Sequence, residues 1–261
     1  MIIDTHAHVW PEKIAEKAGQ HLEDVFDTKI AVVPTVDNLL RFMDKNSIDM
    51  TFVSSVATRP DQVPAINKWL RTIVSDRIKV LAAFHPFYKE WEEELDKIRE
   101  FASGIKLQPE FQEFYVDDDK LAPVYSKLSE LGVPVLFHCG KELSNTKLLR
   151  SEPERMAAVN RMFPSLKVIA AHFGGFQMWD EVERHLLGRD MYFDTAYTFK
   201  FIEKELMADF IEIQGEEWVL FGTDFPLVDQ KDDIEYLNSL DLPQESKSKI
   251  LSQNAKKLFK L

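Results

Sequence analysis

Four short polar segments carry the side chains suited to chemistry: Asp4-Thr5-His6-Ala7-His8, His138-Cys139-Gly140, His172-Phe173-Gly174-Gly175 and Gly222-Thr223-Asp224-Phe225-Pro226. Each places an imidazole or a carboxylate where an apolar run ends. Imidazole nitrogens and carboxylate oxygens are the donors of a catalytic divalent-cation site. Taken singly the signals are weak. A His-x-His pair more often marks two ordinary polar residues, His138 or His172 alone a hydrogen-bonded histidine, and Asp224 alone a cap or turn. The set as a whole points to metal, because all its members fall at strand ends in an order that one barrel can gather.

The elements that must position them are short continuous apolar runs: Ile2-Ile3, 50–56, 78–84, 104–107, 133–137, 166–171, 191–193 and 218–221. Unbroken runs of this length are how strands buried on both faces read. Between them lie helix-period segments at 64–74, 90–101, 121–131, 152–162, 178–187, 201–213 and 244–258, and one that Thr35 caps. Gly132 is placed to end the fourth-strand helix. Strand and helix alternating eight times predict an α/β chain folded as a single (β/α)8 TIM barrel over residues 1–261. An open doubly wound sheet would want a glycine-rich turn after the first strand, and 4–10 contains no glycine. Residues 9–34 read as an insertion over the barrel mouth, with an amphipathic patch at 12–26. Asp4, His6 and His8, two residues apart, share one strand face. The C-terminal rim is where barrel enzymes gather catalytic groups.

The bulk numbers narrow the partners. The 261 residues carry 32 Lys and Arg against 44 Asp and Glu, a net charge of −12. That balance argues against nucleic acid and against anionic membranes. No apolar stretch reaches transmembrane length, no leader pattern opens the chain, and the single cysteine, Cys139, forms no intrachain disulfide. The expectation is a cytoplasmic protein acting on a small molecule.

The opening Ile3-Asp4-Thr5-His6-Ala7-His8-Val9-Trp10 resembles that of the amidohydrolase superfamily, and more closely its branch of small metal-dependent hydrolases and decarboxylases. The segments Gly104-Ile105-Lys106-Leu107-Gln108-Pro109, His138-Cys139-Gly140, Ala171-His172-Phe173-Gly174-Gly175, Gly222-Thr223-Asp224-Phe225-Pro226 and Asn254-Ala255-Lys256-Lys257-Leu258-Phe259 are similar to its later signatures. The resemblance implies His6, His8, His138 and Asp224 as metal ligands, with Asp224 also contacting the reacting water and His172 as the acid/base. A divalent ion brings the pKa of water from about 16 to near 7, and an imidazole can take or return that proton. Lys106 stays open between a carboxylated bridge, a partner for a substrate carboxylate and a structural ion pair. The resemblance allows a homodimer. The nitrogen-rich donor set suggests one Zn2+, with Mn2+, Fe2+ and Co2+ fitting similar geometry.

Asp4 is expected either to orient a strand end or ligand, or to bond backbone. Cys139, on the face opposite His138, is expected to pack rather than react. Trp10, Arg59, Lys106 and Lys141 are expected around the substrate, and the basic groups suggest a carboxylate on it. His85 is open between contact and a loop role, and His21 and His185 are expected to be inert. The aromatics Trp10, Phe87, Phe111, Phe114, Tyr115, Phe176, Trp179 and Tyr197 fall in rim segments. The leading functional expectation is hydrolysis of a small ester, lactone or amide. The alternative is nonoxidative decarboxylation of an aromatic or enol acid at the same metal, which the compactness of the chain counts against. A non-catalytic metal scaffold and a phosphoesterase rank behind both.

Overall fold

A computed structural model describes residues 1–142 and 148–261. The apolar runs form eight strands: β1 Ile3–Ala7, β2 Met50–Ser54, β3 Ile78–Ala83, β4 Gly104–Leu107, β5 Val135–Phe137, β6 Val168–Ala170, β7 Tyr192–Asp194 and β8 Val219–Leu220. They lie in chain order in one sheet, each parallel to the next. The last strand returns to the first: Thr5 N–H donates to Phe221 O at 2.8 Å and His8 N–H to Phe225 O at 2.7 Å. The result is the (β/α)8 barrel that the alternating pattern predicts. Its strands read as continuous apolar runs because their inner faces fill the barrel and their outer faces meet helices.

The helices are α1 Glu12–Phe26, α2 Val36–Lys45, α3 Val63–Ile73, α4 Trp91–Ile98, α5 Pro109–Gln112, α6 Ala122–Leu131, α7 Pro153–Met162, α8 Trp179–His185, α9 Lys204–Gln214, α10 Gln230–Ser239, α11 Gln244–Ser248 and α12 Asn254–Phe259, the last two joined by a π-helical turn. Thr35 caps α2 by accepting from Asn38 N–H at 3.1 Å, and Gly132 ends α6 at a φ of 63°. Inside the barrel, Ile3, Phe52, Leu81, Leu136, Ile169 and Leu220 pack with Ala255 and Leu258 of α12. Phe259 lies 4.3 Å from the Phe52 ring, so the chain's end plugs that layer.

Two elements depart from expectation. The insertion at 9–34 is ordered around the 15-residue α1, an amphipathic helix rather than an irregular loop. Helix α10 was not anticipated, because its polar sequence offers only Ile234 and Leu237 as an apolar stripe. Among the described residues no helix is long and apolar enough to cross a membrane.

Candidate active site

The barrel ends bring His6, His8 and Asp224 together. One ligand atom from each lies within 4.8 Å of the others. His8 Nε2 is 3.1 Å from Asp224 Oδ1, and His6 Nε2 is 3.7 Å from the same oxygen. The local chain is shaped for this approach. Asp224 has a φ of 64° and His172 one of 56°, left-handed values that cost energy outside glycine and are held where function needs them. Gly222 is required by space, since a Cβ there would stand 3.0 Å from the His6 Cβ.

Each imidazole is held by its other nitrogen. His6 Nδ1 donates to Asp194 Oδ2 at 2.8 Å, and His8 Nδ1 to the Ser54 carbonyl at 2.9 Å. His172 Nδ1 donates to the Ala196 carbonyl at 2.8 Å, which leaves its Nε2 to accept from His138 Nδ1 at 3.0 Å. These partners fix the tautomers, so His6, His8 and His138 all present an Nε2 lone pair. His138 Nε2 is buried without a hydrogen bond. It lies 3.0 Å from Glu142 Oε1 but without hydrogen-bonding geometry. His138 belongs to a second donor set with Glu110 and Glu142 and not to the compact His6–His8–Asp224 group.

Protonation follows from burial and charge. Burial, with help from the Lys106 charge, lowers His6 to about 4. Burial also holds His138 well below the ordinary imidazole value, and lowers His172 against the pull of Asp224 and Asp194. At Asp224 burial pushes upward, but His6, His8 and His172 outweigh it and hold the carboxyl below its usual range. Neutral imidazoles and an ionised carboxylate are the forms in which these groups bind a cation. The donor set, its anchored nitrogens and the orphaned His138 Nε2 therefore fit a divalent ion. Burial raises Glu142 to about 8, and the Glu110 charge adds to the effect.

These groups line one cavity of about 570 Å3, together with Lys106, Lys141, Trp10, Phe111, Phe176 and Tyr197. Lys106 is 2% exposed, its Nζ 3.4 Å from His6 Nε2. Arg59, expected beside the substrate, is not among the lining residues; its side chain is 65% exposed and pairs with Asp61 at 3.1 Å. Among the other aromatics, Phe114 is buried in the core and Phe87 is largely exposed. Tyr115 lies under Arg155, and Trp179 packs against the core. Cys139 is buried in the core outside the barrel.

Asp4 turns away from the cavity although it stands two residues from His6, the spacing that puts side chains on one strand face. The β1–β2 register shifts between Asp4 and Ala7. Its carboxylate accepts from the N–H groups of His6 and Thr223, from Thr223 Oγ1 and from Gln230 Nε2. Asp4 thus ties β1 to the loop that carries Asp224.

Sequence reasoning missed Asp194, Gln108, Glu142 and His21. Asp194 anchors two of the candidate site residues, His6 and His172, since its Oδ1 also accepts from His172 N–H at 2.8 Å. The rule that found the other strand ends covers it, since Asp194 directly follows the apolar run 191–193. Gln108 and Glu142, which contact each other, and His21 line the cavity but carry no periodic signal.

No curated protein matches the chain. Solved structures do. A 2,6-dihydroxybenzoate decarboxylase complexed with 2,6-dihydroxybenzoate aligns with a TM-score of 0.74 at 16% identity, over 100% of this chain and 99% of its own. A 5-carboxyvanillate decarboxylase from Sphingomonas paucimobilis gives 0.76 at 17%, over 100% and 99%. A dihydroxybenzoic acid decarboxylase from Polaromonas sp. JS666, with bound manganese and the inhibitor 2-nitroresorcinol, gives 0.75 at 17%, over 100% and 97%. At these identities the likeness is one of fold. The family model described as Amidohydrolase matches residues 3–261, and with it the chain belongs to the amidohydrolase family.

Proposed function

We propose that this chain is a divalent-metal-dependent decarboxylase of an aromatic or enol carboxylic acid. The observation that carries the reading is the His6–His8–Asp224 group in an aromatic-walled cavity, with His172 beside it. The neighbouring structures named as decarboxylases support it over hydrolysis, the leading sequence-based expectation. Their alignments run nearly the length of both chains, so compactness is no longer a ground for preferring hydrolysis.

His6, His8 and Asp224 would hold the ion, with His138 as a fourth donor through its free Nε2. Bound there, the ion would supply Lewis-acid polarisation of the substrate. Lys106 and Lys141 meet the carboxylate, and Trp10, Phe111, Phe176 and Tyr197 hold the ring. The bond from ring carbon to carboxyl carbon breaks, CO2 leaves, and the electron pair stays on the ring carbon, which takes a proton. His172 carries that proton at Nε2, which requires it to leave the hydrogen bond that Nε2 accepts from His138 Nδ1 in the free protein. Burial keeps it neutral in the free protein, and an anionic substrate beside it favours the charged form.

Manganese is the first metal to load, because a neighbouring decarboxylase structure holds it; zinc is the competitor. Metal-loaded protein is expected to release CO2 from members of a panel of hydroxylated benzoates and enol acids. His172→Asn should keep the metal and lose turnover by at least about 100-fold. Cleavage of an ester, lactone or amide with no CO2 from any acid would return the assignment to hydrolysis.

A further inference from the structure

The cavity has two chemically different ends. The inner end holds the histidines, Asp224 and Lys106. The outer end is walled by Ile14, Leu22 and Phe26 of α1 and by Ala65, Ile66 and Trp69 of α3. His21, Thr58 and Gln62 are the polar exceptions there.

Ile14, Leu22, Phe26 and Ala65 are not among the side chains that fasten their helices to the barrel, and Ile66 and Trp69 are only partly buried against the core. On α1 the buried residues are Ala15 and Gly19, and on α3 they are Val63, Asn67 and Leu70. Ile14, Leu22 and Phe26 fall on one side of a helix by their spacing, as do Ala65, Ile66 and Trp69. Ile14 remains 48% exposed. Apolar side chains lining a cleft continuous with polar chemistry lower their free energy when an apolar group covers them. The cavity's 570 Å3 lies within the ~300–1,000 Å3 that drug-sized ligands fill, more room than one carboxylated ring needs.

We propose that the outer end is a subsite for an apolar extension of the substrate. The acid that reacts at the histidine–aspartate end carries an alkyl or aryl group of several carbons, which lies between α1 and α3. The inference rests on the acid-substrate reading above and narrows it from small aromatic or enol acids to amphipathic ones.

The test is a binding series on manganese-loaded protein, read by quenching of intrinsic tryptophan fluorescence. The probes are 2-hydroxybenzoates with linear alkyl groups, methyl to heptyl, at ring position 4 or 5. In one of the two positional series Kd should fall by up to about fourfold per methylene, the equivalent of ~0.8 kcal/mol each, until the cleft is full. Phe26→Ala and Trp69→Ala should flatten that slope. Ala65→Trp, which adds bulk to the cleft at a position outside the core, should lower the heptyl-to-methyl affinity ratio even if the other two variants fold poorly.

A flat or rising Kd along both series overturns the subsite. So does a dimer that covers the cleft, seen as a species dissociated by Ile14→Asp with no chain-length dependence in either state. Flat binding with CO2 released from the methyl member sinks this inference alone. Chain-dependent binding with hydrolysis and no CO2 sinks the decarboxylase reading and keeps the subsite.

Discussion

Asp194 shows how much one buried carboxylate can decide. It accepts from His6 Nδ1 with one oxygen and from the N–H groups of His172 and Ala196 with the other. It therefore sets the tautomer of a proposed ligand and the backbone that carries the proposed proton carrier. An asparagine would aim an amide N–H at one of these donors. The His6 ring would then flip or move its proton to Nε2, the nitrogen that faces Asp224. Asp194→Asn is expected to weaken manganese binding by roughly 10- to 100-fold while the far-ultraviolet dichroism stays native. Metal titration followed by competition with a chelator measures it. An unchanged affinity in a folded variant would show that His6 is held by something else. His6, His8, His138, His172 and Asp224 were all legible in the sequence, because each stands where an apolar run stops. Asp194 obeys the same rule, since it stands directly after the apolar run 191–193 and closes strand β7, and it was passed over. Glu142 and Gln108 lie beyond their strands, where spacing says nothing about which way a side chain turns.

At the scale of elements, the strands were legible for a physical reason: both faces are buried, so the runs stay mostly apolar, with polar residues such as Thr51, Lys79 and Lys106 the exceptions. The helices that pack an apolar stripe on the barrel were legible too. What failed was parity in β1, where a register shift sends Asp4 and His6 to different places, and the acidic helix α10. That helix buries Asp233 at its first turn, with Oδ2 lacking any hydrogen-bond partner. Burial, then the charges of Asp4, Asp232 and Asp224, push this carboxyl well above its ordinary value. The native chain therefore keeps a proton that the unfolded chain gives up near pH 4. Between that point and the raised native value the native state binds more protons, so stability falls as pH rises. Asp233→Asn removes the penalty. The variant should be more stable than the parent at pH 8, by about 1–3 kcal/mol, and equal to it near pH 4. Urea unfolding at both pH values decides. A gain of the same size at both would mean that the effect comes from packing and not from the proton.

Across the whole molecule, the proposed metal site sits on the seam that closes the barrel. His6 and His8 come from β1 at the start of the chain, and Asp224 from the loop after β8, near its end. Only a few contacts join these strands directly, among them Thr5 N–H to Phe221 O, Asp224 N–H to His6 O and the Asp4 bonds to Thr223. Asp4 itself is raised by burial to about 6. An ion shared by β1 and the β8 loop would bind the folded ring and have no equivalent in the open chain. Its binding energy then appears as folding energy. At a free metal concentration 100-fold above Kd the gain is about 2.7 kcal/mol, which for a chain of this size is a Tm rise of roughly 5–10 °C. Chelation should reverse it, and hydrogen exchange should slow at the backbone of residues 4–8 and 221–225 when metal is added. Asp224→Ala, which removes the only proposed ligand on the β8 side, should abolish both effects. If the variant kept the full shift, the ion would be held elsewhere, and the Glu110–His138–Glu142 set is the alternative the structure offers. In that case the protection would move from the seam to β5 and the start of α5, a difference that peptide-level exchange can resolve.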